Sequence, residues 1–345
     1  MATTHFKGDR LIVGRARTIN VTLNAGDYMQ VAAIESYTQN AVFSTTTPDP
    51  AMSSPHGADV YTTDSELWVA DTGRHRIATF ALSGGAWGGA FGSSGSGNGQ
   101  FNGPEDLAVA TDYTYIADTQ NGRIQKFTSS TQTYDSQWSV GGGGRLPMGV
   151  ALDATNSLIY VAIYISATSG EIRVYNLTGT LQDTWVFTDL APISVDVSAD
   201  GLSILIGTAN GYAFIYDSSG NFQYNVGIEF LEGTGEVRGM FHVEQTIYLV
   251  ENTNSRVSKL LKTGRGLCQF GADGTGTLET DSPSGFVQYG NYVYLVDTGN
   301  NRVLQLTSPT KTRGIVFKIY EDGRVKMLGA QFDATTTTIG FVPVL

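Results

Sequence analysis

Cysteine is almost missing from this chain of 345 residues: Cys268 is the only one. That excludes an internal disulfide framework and a cysteine-based zinc cluster. Cys268 lies in GLCQFG, where the expectation is a small buried apolar residue of an outer strand. Basic residues are few as well, with 21 Lys and Arg against 32 Asp and Glu and a formal charge of −11. Phosphate binding depends on clustered cations that release counterions, so nucleic acid is not an expected partner. No run of about 18 apolar residues offers a membrane span, and MATTHFKGDR has no apolar core of a signal peptide. The expectation is a chain neither membrane-embedded nor conventionally secreted. Helical periodicity is absent throughout, while 41% of residues are apolar and 42 are glycine. That composition belongs to a folded all-β chain.

What the chain has in abundance is self-similarity. LWVADTGRHRIATF, TYIADTQNGRIQKF, YLVENTNSRVSKLL and YLVDTGNNRVLQLT share an apolar run, an acid, a polar turn and an arginine five residues after the acid. The pairs are Asp71 and Arg76, Asp118 and Arg123, Glu251 and Arg256, Asp297 and Arg302. Two degenerate copies, with Ile163 and Gly207 at the acid position, give successive spacings of 47, 45, 44, 44 and 46 residues. Prolyl turns open the units at Pro55, Pro104, Pro147, Pro192 and Pro283, with Val237 in the corresponding place of the fifth. Six units of this length, each divisible into four short alternating runs, predict a six-bladed β-propeller over 40–307. The run NAVFSTTT precedes Pro55 where other units keep a fourth strand, so 41–46 is expected to close the sixth blade.

The segments 1–39 and 308–345 contain strand-like runs: RLIVG, TINVTLN and YMQVAAI before the propeller, IVFKIY and RVKMLGA around Glu321, Asp322 and Gly323 after it. The threonine run 335–338 and IGFVPVL follow. A closed propeller brings its two ends together, so these pieces are expected to form one small β module for attachment or oligomerisation.

Pro104 to Phe127 and the preceding GQFNGP resemble the NHL repeat, a family of six-bladed propellers. The first, second and sixth units match that pattern well, the fifth lacks its proline, and the third and fourth lack the acid and arginine pair. The resemblance implies fold rather than function, since such scaffolds host binding modules and enzymes alike. Some members bind RNA on a basic face, which the scattered cations here do not provide. The Thr, Gly, Ser and Asn richness and the all-β ends are similar to bacteriophage structural proteins such as capsid decorations, fibres and receptor-binding proteins.

Chemistry-bearing residues are sparse. The repeated acid and arginine pairs sit in equivalent turns, where a carboxylate caps amides and an arginine bridges blades. The residue after each prolyl turn is expected to line one mouth of the central channel: His56, Glu105, Met148, Ile193, Arg238 and Ser284. Of these, His56, Glu105, Arg238 and Ser284 are candidate binding residues. A propeller enzyme of the lyase or lactonase kind needs several metal ligands there, and only His56 and Glu105 qualify. The four histidines, His5, His56, His75 and His242, occupy unrelated repeat positions, and no serine has an adjacent base. Glycine-rich 84–103 and 141–144 lead into no helix with a Lys-Ser/Thr pair, which removes phosphate loops. Trp87, Trp138 and Trp185 recur in fourth strands as packing residues, while Tyr113, Tyr164 and Tyr289 in loops are free to contact a glycan or protein.

The expectation is therefore a non-catalytic display protein of a virion, without metal or cofactor, forming a homo-oligomer. Its partners would be other virion proteins and a host-surface protein or glycan. The alternative is the metal-dependent propeller enzyme, in the cytoplasm or exported without a conventional signal.

Overall fold

The computed structural model describes residues 28–31, 37–44, 51–226, 235–243, 246–262, 266–307, 315–319 and 325–329. The chain divides into two units, Tyr37–Ser308 and the combined ends Met1–Ser36 with Pro309–Leu345. In the larger unit, six four-stranded antiparallel sheets follow one another in chain order. The first blade comprises Pro55–Tyr61, Glu66–Asp71, Arg76–Ala81 and Trp87–Phe91. The second runs from Pro104–Val109 to Thr133–Ser139, the third from Leu146–Asp153 to Leu181–Phe187, and the fourth from Pro192–Val197 to Phe222–Val226. The fifth runs from Val237–Val243 to Gly266–Phe270. Only two short 3-10 turns, Thr72–Arg74 and Thr119–Asn121, interrupt the all-β pattern among the described residues.

The sixth blade takes Phe286–Tyr289, Tyr292–Asp297 and Arg302–Thr307 from one end of the propeller and Thr38–Phe43 from the other. Thr38 pairs with Thr307 and Phe43 with Val303. Of the 41–46 segment expected there, 45 and 46 lie outside the described residues. Phe43 carries this strand into the seam between the sixth and first blades, beside Phe80 and Tyr294.

Each seam between blades has its own apolar cluster, because an isolated four-stranded sheet would leave two apolar faces in water. The seams are tight enough to dictate residue type. A Cβ at Gly239 would come 2.1 Å from the Ser284 carbonyl oxygen, and one at Gly285 would come 2.4 Å from that of His56.

The acids of three intact repeat pairs reach back to the segment that enters their own blade. Asp71 accepts the Ser53 N–H, Asp118 that of Asn102, and Asp297 that of Asp281, always two residues before the prolyl turn. The arginines then hold the connection from the preceding blade. Arg123 donates to the carbonyls of Ser96, Gly97 and Gln100, and Arg302 to those of Thr275, Gly276 and Glu279. The threonine after the acid links onward: Thr72, Thr119 and Thr298 donate to the carbonyls of Pro104, Pro147 and Pro55 of the next blade. In the fourth blade the structure corrects the sequence register. Thr208, not Gly207, pairs with the prolyl position Pro192, as Asp118 pairs with Pro104.

In the smaller unit, Tyr28–Val31, Ile315–Ile319 and Val325–Gly329 form a three-stranded antiparallel sheet with Ile315–Ile319 in the centre. One strand comes from before the propeller and two from after it. The runs RLIVG and TINVTLN, the Glu321–Gly323 turn, the threonines 335–338 and His5 lie outside the described residues.

Candidate functional site at the channel mouth

The innermost strands of all six blades run alongside a central cavity of about 450 Å³. His56, Glu105, Met148, Ile193, Arg238 and Ser284 all line it, since each follows the turn that starts an innermost strand. The polar members do not act alike. Glu105 Oε2 stands 3.2 Å from Arg238 Nη1 and 3.7 Å from His56 Nε2, so groups from the first, second and fifth blades meet across the opening. Arg238 Nε also donates to Glu236 Oε2 at 2.5 Å. His56 Nδ1 lies 3.0 Å from the Thr72 hydroxyl. Ser284 belongs instead to the seam, its buried hydroxyl 2.6 Å from that of Thr298 and 3.1 Å from the His56 carbonyl. Burial holds His56 below its ordinary pKa, with Arg238 adding to that effect and the Glu105 carboxylate opposing it.

These residues do not fit a metal centre. The Arg238 guanidinium already occupies the Glu105 carboxylate that a cation would need. Among the described residues no group of three or more His, Cys, Asp and Glu side chains could hold an ion. His75 receives the Gly103 N–H in an outer turn, and His242 sits against Asp196, its Nδ1 2.8 Å from the carboxylate. Cys268 pairs with Lys259 in the fifth blade's outermost ladder.

Three channel-lining carboxylates escape the sequence reading: Asp59, Asp106 and Asp196. Each accepts a backbone N–H of the neighbouring innermost strand, from Val109, Val150 and His242 respectively. They are staples between the first and second, second and third, and fourth and fifth blades. The signal that could have found them is an acid interrupting an apolar innermost strand, in GADV, PEDLAV and SVDV. Asp59 also accepts the Val60 N–H. Both carboxyls line the channel and are partly buried, and desolvation outweighs the amide hydrogen bonds, so Asp59 is pushed up to about 6 and Asp106 up to about 7.

The sign of the pH effect follows. Folded Asp59 and Asp106 hold protons that the unfolded chain releases above its carboxyl pKa of 3.8, so these two groups make stability fall as pH rises through about 7. His56 acts oppositely, since its folded pKa lies below the unfolded 6.5 and its contribution is lost as pH falls below that value. The charged groups facing them are Glu105, Glu236, Arg238 and Asp196. The urea midpoint at about pH 8 is expected to lie below that at about pH 5, and Asp106→Asn, which keeps an acceptor for Val150, to shrink the difference. An unchanged pH dependence in Asp106→Asn would contradict this assignment.

No family model and no curated protein sequence matches the chain. Among solved structures 1625 chains match. One is Kuenenia stuttgartiensis hydrazine synthase, with a TM-score of 0.55 and 14% sequence identity, covering 84% of this chain and 99% of that one. The shared feature is the fold. The larger unit is a six-bladed β-propeller. At that identity the likeness carries no chemistry across. No helix among the described residues is long and apolar enough to cross a membrane.

Proposed function

We propose that this protein is a non-catalytic display component of a bacteriophage virion, built on an NHL-like propeller. In this proposal the combined chain ends attach the protein to other virion proteins, with several copies per particle. The propeller presents a surface to a host protein or glycan. The observation that carries the reading is the division of labour in the chain. Thr38–Phe43 closes the ring, so both ends leave the propeller at the Thr38 and Thr307 end of one blade, and residues from both ends then share a separate sheet.

The chemistry of the propeller supports the same reading. The polar groups at the channel mouth are committed to one another, and the repeat pairs are committed to holding connections. The alternative of a metal-dependent lyase or lactonase draws on His56 and Glu105 alone. Ending the chain after Ser308 removes two of the three strands in the terminal sheet. The shortened protein is expected to keep its cooperative unfolding and to lose incorporation into particles. Incorporation at the wild-type level would overturn the role given to the chain ends.

A further inference from the structure

The fourth blade departs from its neighbours in one respect that neither its packing nor the channel uses. In the second blade, Arg123, Gln125 and Phe127 share a face of the third strand, and the long connection from the first blade covers them. Arg123 holds Ser96, Gly97 and Gln100, Gln125 receives the Gly99 N–H, and buried Phe101 lies 5.5 Å from the Phe127 ring. With the fourth blade's register set by Pro192 against Thr208, the same three places fall to Tyr212, Phe214 and Tyr216. The connection into this blade spans only 188–191. Phe187 of the third blade packs on the Tyr216 ring at 5.7 Å, while Tyr212 stays 47% exposed.

The result is a row of aromatic rings leading from the seam to the solvent. Trp185 of the third blade stacks on Tyr216 at 6.0 Å, Phe222 follows at 5.7 Å, Phe214 at 6.3 Å and Tyr212 at 6.2 Å. Trp185 is 9% exposed, Phe222 52% and Tyr212 47%, with Tyr216 and Phe214 partly buried, so Phe222 and Tyr212 are the rings that face solvent. Exposed Asn221, Gln223 and Asn225 border it on the outermost strand. The Asp217 carboxylate holds the Asn221 and Gln223 side-chain amides at 3.0 Å each. The sequence has no lysine or arginine between Arg173 and Arg238.

We infer that this rim of the third and fourth blades is a binding platform for a neutral oligosaccharide. Sugar rings present apolar C–H faces to aromatic rings and hydroxyls to amides, and a strip one ring wide bordered by amides suits a chain-shaped ligand. The missing cations decide the ligand class. Sialylated, sulfated or phosphorylated glycans, nucleic acid or an anionic membrane would meet the Asp183 and Asp217 carboxylates on a stretch of chain that carries no lysine or arginine of its own. The inference rests on the display reading and names the chemistry of its ligand.

The test is a glycan array carrying neutral glucans, galactans, mannans and N-acetylhexosamine chains beside sialylated ones, probed with the full chain. The wild-type protein is expected to bind one or more neutral classes and no sialylated one. Phe222→Ala and Tyr212→Ala are each expected to weaken that binding about tenfold or more, with unchanged melting temperature because both side chains are half exposed. Val42→Ala, on the sixth blade, is expected to bind as wild type. No neutral glycan bound, sialylated glycans bound instead, or neutral binding indifferent to both rim variants would each overturn the platform. So would a self-association of the wild-type chain that Phe222→Ala abolishes without any glycan bound. Particle incorporation of Phe222→Ala separates the two proposals: a variant that is incorporated while the wild type binds no glycan leaves the display role standing and removes the platform alone.

Discussion

Phe43→Ala is expected to destabilise the propeller by about 3–5 kcal/mol, the range for truncating a fully buried phenylalanine. The side chain is completely buried, packs on Phe80 and Tyr294, and belongs to a cluster drawn from the first and sixth blades. Its strand is the closing one, so the cavity opens in the seam that joins the two ends of the ring. Urea unfolding would read the loss, and limited proteolysis would show cleavage at the 38–43 strand ahead of the other blades. A loss below about 1 kcal/mol would mean that the ring does not depend on this closure. Val42, half exposed on the same strand, serves as the control, and Val42→Ala is expected to fall within about 0.5 kcal/mol of wild type.

Asp118→Ala is expected to cost about as much, roughly 3–5 kcal/mol, by a different route. The carboxylate is fully buried and accepts from the Asn102 backbone, the Asn121 and Gln125 side chains and Arg123 Nε. Removing it leaves Arg123 buried without its countercharge and releases the segment that opens the second blade. Asp118→Asn retains an acceptor for Asn102 but loses the charge, so it is expected to fall between the alanine variant and wild type. If both variants unfold at the wild-type urea concentration, the pair holds nothing in place. The double variant Asp118→Ala with Arg123→Met separates charge from loop anchoring: recovery toward wild type assigns the cost to the stranded guanidinium.

How much of this was legible in the sequence depends on whether a feature repeats. The acid and arginine pairs, the prolyl turns and the four strands per unit recur along the chain, and periodicity makes such positions readable from one chain alone. The channel mouth was legible for the same reason, because His56, Glu105 and Arg238 stand at one offset from the repeated turn. Their contact across the opening was not, since nothing in a sequence tells which members of a ring reach one another. Asp59, Asp106 and Asp196 escaped because they replace apolar or glycine positions singly, at two different offsets from the turn. The fourth blade misled at Gly207 because its turn between the second and third strands is a residue shorter, which only the pairing of Pro192 with Thr208 reveals. That slip did not hide the aromatic rim, since Tyr212 stands five residues after Gly207 as Arg123 does after Asp118; what the sequence did not show is that Tyr212 and Phe222 stay exposed in the folded blade.

The central claim is that the chain ends fasten a binding propeller to a particle. Quantitative mass spectrometry of purified virus-like particles from the source culture, set against the soluble fraction, tests it directly. A fixed molar ratio to the capsid or tail proteins, retained through repeated purification, is the predicted result. A protein found only in the soluble fraction, or in particles at a ratio that falls with each purification step, would contradict it.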